Sequence, residues 1–106
     1  MDISDWRKKI DEMDRRLTAL LNERAAAAIE IGRLKRNTDL PIYEPDRERA
    51  VVDNVKQCST GPLDARDLEK IYERIMDVMR SVQGHEIVPA EKPVSQESEV
   101  ESQFED

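Results

Sequence analysis

The sequence predicts an all-α fold with three helices per chain, one long and two shorter, in an intertwined helical homodimer. Aromatic residues make up only 4% of the chain, and long stretches consist of Ala, Leu, Glu, Arg and Lys, which favour helix over sheet. Near the N-terminus, apolar residues recur at helical spacing over four heptads. The 106 residues form one domain, and its core is so small that a second copy is expected to complete it.

The first helix is predicted from about Ser4, a suitable N-cap, to Arg36, because this stretch has no proline and one glycine. Its apolar residues alternate at intervals of three and four. They are Ile3, Trp6, Ile10, Met13, Leu17, Leu20, Leu21, Ala28, Ile31 and Leu34. A helix of this length extends about 50 Å. The rest of one chain cannot cover it, so we expect a second chain to lie along it.

The second helix is predicted from Pro45 to Gln57. Residues 37–41 are turn formers that end the first helix, and proline suits the first turn of the next one. Its buried side is expected to carry Val51, Val52 and Val55.

The third helix is predicted from Ala65 to Gln83, with Asp64 as its cap and Gly84 as its C-terminal stop. Its apolar residues fall on one stripe at helical spacing. They are Leu68, Ile71, Tyr72, Ile75, Met76, Met79 and Val82.

Residues 87–106 are predicted to be a disordered acidic tail, which leaves residues 1–86 as the helical domain. From Pro89 onward there are six acidic residues and one basic residue, so most of the formal net charge of −7 lies there. The helical part is nearly neutral, which argues against a nucleic-acid partner. One cysteine, Cys58, and the absence of a signal-like or membrane-spanning stretch predict a cytoplasmic protein without membrane contact.

Two cations interrupt the apolar face of the first helix. Arg24 falls in the heptad position of Ile10 and Leu17, where its desolvation is costly unless an anion meets it. Lys35 lies eleven residues later, within about 20° of the same direction. The two side chains are long enough to bind one anion together. Ordinary solvated surface charge is the other explanation, and it is the commoner one for two cations on the same helix face.

Polar residues extend the apolar faces of the other two helices as well. Arg47 and Glu48 lie four residues before Val51 and Val52, and Gln83 lies four residues after Met79. Taken singly, the first two fit a solvated first turn, and the glutamine fits a surface position at a helix end.

Arg7 links these residues to the dimer. It lies about 42 Å from Lys35 along the first helix, so one chain cannot bring both to a small ligand. In an antiparallel pair of long helices, Arg7 can complete the partner's site. Together with Arg24, Lys35 and Arg47 it makes a pocket for two carboxylates. The sequence has no zinc-ligand spacing, phosphate loop or activated nucleophile, so neither a metal nor a cofactor is expected.

This ordered set of residues resembles the all-helical (AroQ-type) chorismate mutases over about residues 3–84. The resemblance rests on short pieces at fixed spacings. They are Arg7, Ile10-Asp11, Met13-Asp14, Leu20-Leu21, Arg24, Ala28, Ile31-Gly32, Lys35, Pro41-Ile42-Tyr43-Glu44, Asp46-Arg47-Glu48-Arg49 and Gln83. The family's reaction is the Claisen rearrangement of chorismate to prephenate, a step towards phenylalanine and tyrosine that needs no cofactor and no covalent intermediate.

The resemblance implies a role for seven residues. Arg24, Arg47 and the partner's Arg7 hold the substrate carboxylates. Lys35 and Gln83 donate hydrogen bonds to the ether oxygen, where charge develops. Glu48 accepts from the ring hydroxyl, helped by the backbone near Glu44.

One position departs from the family pattern. Met79 stands where some members have a serine that contacts a substrate carboxylate, so that hydrogen bond is either missing or supplied by Ser81 after a local shift. Weaker substrate binding is expected in the first case.

Two other functions are also compatible with the sequence. An isochorismate-pyruvate lyase shares this fold, although relatives of that kind lack the glutamate that matches Glu48. A non-catalytic helical interaction protein would use the long helix or the acidic tail as its binding element. If the chain is a mutase, the tail is expected to be solvated and dispensable, and the alternative is a docking segment for another shikimate-pathway enzyme.

Overall fold

The structure is a computed structural model that describes residues 1–87, with side chains through Gly84. Three helices make up this part of the chain: α1 spans Ile3–Arg36, α2 spans Pro45–Cys58 and α3 spans Ala65–Ile87. No strand occurs among these residues. The predicted all-α fold with one long and two shorter helices is therefore confirmed.

The start of α1 differs slightly from the prediction. Asp2, and not Ser4, is the N-cap, because Asp2 and Asp5 form a reciprocal capping box. The Asp2 carboxylate accepts from the Asp5 backbone N–H at 2.9 Å, and the Asp5 carboxylate accepts from the Asp2 backbone N–H at 3.0 Å. The hydrogen bond from the Asp5 backbone lowers the pKa of Asp2 below its usual value.

Local residues determine where the two shorter helices begin and end. Pro45 opens α2, and the Asp64 carboxylate accepts from the Asp67 backbone N–H at 2.9 Å at the start of α3. Gly61 has a φ of 91°, a left-handed conformation that favours glycine, in the turn after α2. Gly84 does not adopt that conformation. The predicted stop at Gly84 is therefore wrong, and α3 continues to Ile87.

The hydrophobic core lies where α3 packs against α1 and α2. Its buried apolar side chains are few: Ala28, Val52, Met76 and Met79. On the predicted faces, Val51 and Val55 are only half-buried, and Ile71 remains 45% exposed. A single chain thus forms a small core and leaves much of its apolar surface uncovered.

The first half of α1 extends beyond this core, and the described chain is 54 Å long. Six large apolar side chains along it are between 40% and 69% exposed. They are Ile3, Trp6, Ile10, Met13, Leu17 and Leu20. This row is the N-terminal part of the apolar face that the heptad pattern predicts, and neither α2 nor α3 covers it.

The predicted acidic tail lies outside the described residues, apart from Ile87 at the end of α3. Within residues 1–87, no helix combines the length and the apolar character that crossing a membrane requires.

Candidate active site

A cavity of about 310 Å³ lies between the three helices and has the size of a small-molecule site. Six of the seven predicted site residues line it. They are Arg24 and Lys35 of α1, Glu44, Arg47 and Glu48 at the start of α2, and Gln83 of α3.

Lys35 is held in place by the segment that joins α1 to α2. Its Nζ donates to the backbone oxygen of Pro41 at 2.9 Å and lies 3.0 Å from Oε2 of Glu44. The Lys35 side chain is only 14% exposed. An ammonium group has three N–H donors, so one remains for a ligand in the cavity.

Gln83 is buried and hydrogen-bonded, contrary to the surface position that a glutamine near a helix end usually occupies. Its Nε2 donates to the backbone oxygen of Ala28 at 2.7 Å. Gly32 of α1 faces the same side chain, since a Cβ built on it would be in van der Waals contact with Cγ of Gln83, at 3.4 Å. An amide has two N–H donors, and the second has no partner among the described residues.

Arg24 and Arg47 line the cavity without forming an ion pair with any described carboxylate. Four cationic side chains and two carboxylates line the cavity in all. Two positive charges are therefore left unbalanced within it, which suits a ligand with two carboxylates. The described side chains contain no group of three or more His, Cys, Asp and Glu residues that could hold a metal ion.

Glu48 is paired with Arg80, a residue of α3 that is not among the seven predicted site residues. Arg80 Nη1 donates to Oε1 of Glu48 at 2.6 Å and to Oε2 at 2.5 Å. The bonded carboxylate of Glu48 raises the pKa of the Arg80 guanidinium above its usual value. One signal was available in the sequence: Arg80 follows Met76 by four residues, so it extends the buried face of α3 into charge.

Arg7 is the one predicted site residue that does not line the cavity of its own chain. It lies exposed in the first half of α1, and Lys35 lies in the last turn of the same helix.

Met79 is buried and forms part of the cavity wall. Ser81 is exposed and does not line the cavity, so the local shift that would bring it there is not observed. A thioether therefore stands at this wall in place of a hydroxyl donor.

Residues 6–84 match the family model of chorismate mutase type II. Among curated proteins, the bifunctional chorismate mutase/prephenate dehydratase of Aquifex aeolicus is 34% identical over 86 residues, covering 77% of this chain and 24% of that protein. The chorismate mutase of Methanocaldococcus jannaschii is 28% identical over 82 residues, covering 76% of this chain and 83% of that protein. The chain thus spans about a quarter of the first relative and most of the second.

This chain is also similar to solved structures of chorismate mutases. The chorismate mutase from Helicobacter pylori in complex with prephenate superposes with a TM-score of 0.74 at 27% identity, covering 80% of this chain and 92% of that one. A chorismate mutase from Thermus thermophilus superposes with a TM-score of 0.75 at 29% identity, covering 77% and 93% respectively.

Proposed function

The chain belongs to the type II chorismate mutase family, and on this premise we propose that it catalyses the rearrangement of chorismate to prephenate. In this reaction the ether C–O bond breaks while a new C–C bond forms. The catalyst exchanges no electrons, protons or water with the substrate. It has to hold a compact conformation and stabilise the charge that develops on the ether oxygen.

One observation carries the proposal: two hydrogen-bond donors, one from α1 and one from α3, line the same cavity. Protein groups already hold each of them in place, and each has one N–H group left for a ligand. Lys35 is fixed by Pro41 and Glu44, and Gln83 is fixed by the backbone oxygen of Ala28. Donors already oriented before the substrate arrives need little reorganisation during the reaction. We infer that both donate to the ether oxygen.

The other cavity residues suit the remaining groups of chorismate. Arg24 and Arg47 form no ion pair among the described residues, so their guanidinium groups are available for the two carboxylates. Glu48 is the hydrogen-bond acceptor proposed for the ring hydroxyl. Glu44 supports the site by holding Lys35.

We further propose that the active form is an intertwined homodimer in which the partner's Arg7 completes each site. The exposed apolar row of α1 supports this, because burying one large apolar side chain contributes about 1.5–3 kcal/mol. An apolar groove between α1 and α3, of about 520 Å³, adds further uncovered apolar surface. A second long helix in antiparallel orientation would cover both and bring its Arg7 towards Lys35.

A cellular location and a further partner complete the proposal. The unpaired and exposed Cys58 fits the reducing cytoplasm. A shikimate-pathway enzyme remains a candidate partner for the acidic tail.

Product analysis tests the proposed activity. Purified protein is incubated separately with chorismate and with isochorismate, and the products are separated by chromatography. We expect prephenate from chorismate without any added cofactor. Salicylate and pyruvate from isochorismate would instead identify a lyase, and no turnover of either substrate would favour an interaction protein.

A further inference from the structure

Arg80 is the one charged residue of the cavity lining to which the proposed mechanism gives no role. It belongs to α3 and lines the cavity together with Glu48 of α2. Its Nη1 lies within 2.6 Å of both carboxylate oxygens of Glu48. The side chains of Arg80 and Glu48 are 32% and 23% exposed, so water only partly screens the pair.

The guanidinium of Arg80 is itself held from two further sides. Its Cζ lies 4.9 Å from the centroid of the Tyr43 ring, within the range of a cation–π contact. Its Nη2 donates to Oδ1 of Asp77 at 3.3 Å. Three contacts from three parts of the chain therefore fix the guanidinium, and the guanidinium in turn fixes the position of Glu48.

A carboxylate has about four lone-pair sites, and one N–H group shared between its two oxygens occupies only part of them. Glu48 can thus accept from Arg80 and from a substrate hydroxyl at the same time. Besides Arg80, the cavity is lined by two cations that form no described ion pair, Arg24 and Arg47, and without Arg80 these are free to pair with Glu48. An ion pair with either would remove a binding group for a substrate carboxylate.

We infer that Arg80 is a positioning residue, which orients Glu48 towards the ring hydroxyl of the substrate and keeps it from pairing with the carboxylate-binding arginines. This inference rests on the proposed function, because it requires that Glu48 contact the substrate. Arg80 is not assigned a contact with the substrate itself.

The inference predicts that Arg80→Ala lowers kcat/KM about tenfold, the scale of one lost charge-assisted hydrogen bond. A rise in KM should contribute to this loss, because Glu48 then competes for the arginines. Arg80→Lys should recover part of the activity, since it keeps a cation that can donate to Glu48.

A matched control separates positioning from stabilisation of the fold. Lys56 of α2 and Glu69 of α3 form the other described ion pair between these two helices, at 2.8 Å and outside the cavity. The Lys56 side chain is 31% exposed, almost as much as that of Arg80. If Arg80 served only to join the helices, Lys56→Ala would have the same effect. We expect Lys56→Ala to keep kcat/KM within about twofold of the parent protein.

A double-mutant cycle with Glu48→Gln completes the test. If Arg80 acts through Glu48, adding Arg80→Ala to Glu48→Gln lowers kcat/KM no further. A full additional tenfold loss would mean that Arg80 contacts the substrate directly, which overturns the inference. It is also overturned if Glu48→Gln is impaired while Arg80→Ala is not. If Glu48→Gln retains full activity, the proposed role of Glu48 fails, and the inference fails with it.

Discussion

Replacing Lys35 or Gln83 with alanine is expected to lower kcat by a factor on the order of 10²–10³, because each variant loses one preorganised donor to the charge that develops in the transition state. Substrate affinity should change less, since Arg24 and Arg47 remain to bind the carboxylates. Steady-state kinetics with chorismate measures both quantities. Normal turnover in either variant would contradict the assignment of these two donors.

The folded structure should survive both replacements. Arg36 provides a control for Lys35, because it is a cation in the same last turn of α1, is exposed and does not line the cavity. Arg36→Ala removes the same charge near the same helix end and should leave kcat unchanged. Circular dichroism should show the same helix content in all three variants. Loss of activity together with loss of helix would point to a structural role instead.

The second large effect concerns the apolar row of α1. Leu17→Glu is expected to convert the proposed dimer into monomers and to abolish activity. Leu17 is 53% exposed within one chain, so a glutamate there can keep its charge in water in that chain. In the proposed dimer the same change would bury a charge on each of two facing helices, which is strongly unfavourable. The molecular mass measured by analytical ultracentrifugation should fall from twice 12.3 kDa to 12.3 kDa.

Ala19→Glu is the matched control for this variant. Ala19 lies about 200° around the helix from Leu17, is exposed, and its replacement introduces the same charge. The variant should remain dimeric and active. If Leu17→Glu stays dimeric, the apolar row is not the interface. If both variants dissociate, the dimer is lost because a charge was added to α1, and the result does not depend on the apolar face.

The helices could be predicted from the sequence because each depends mainly on local signals. The apolar spacing of α1, the proline at the start of α2 and the aspartate before α3 all act within a few residues. The two errors are also local. Ser4 and Asp2 are both suitable caps, and only the reciprocal bond to Asp5 decides between them. Gly84 ends a helix only in a left-handed conformation, and the helix continues through it.

The site was harder to predict, because it depends on contacts between helices. Gln83 lies late in α3, where its burial follows from the approach of α1 at Gly32 and Ala28. Arg80 can pair locally with Asp77, and its pairing with Glu48 emerges only when α2 and α3 pack together. The family resemblance correctly predicted six residues of the cavity. It depends on an ordered set of residues at fixed spacings, whereas each of these residues alone also fits a surface position.

Subunit complementation tests most directly the central claim that two chains build each catalytic site. Arg7→Ala and Lys35→Ala are unfolded, mixed in equal amounts and refolded, and chorismate turnover is measured. In a mixed dimer, the pocket with an intact Lys35 receives an intact Arg7, and the other pocket lacks both. About half of the dimers are mixed and each has one intact pocket, so about a quarter of the parent activity should return. Arg24→Ala mixed with Lys35→Ala should restore nothing, because both residues belong to the same pocket. Failure of the first mixture to regain activity, or equal recovery in both, would contradict the shared site.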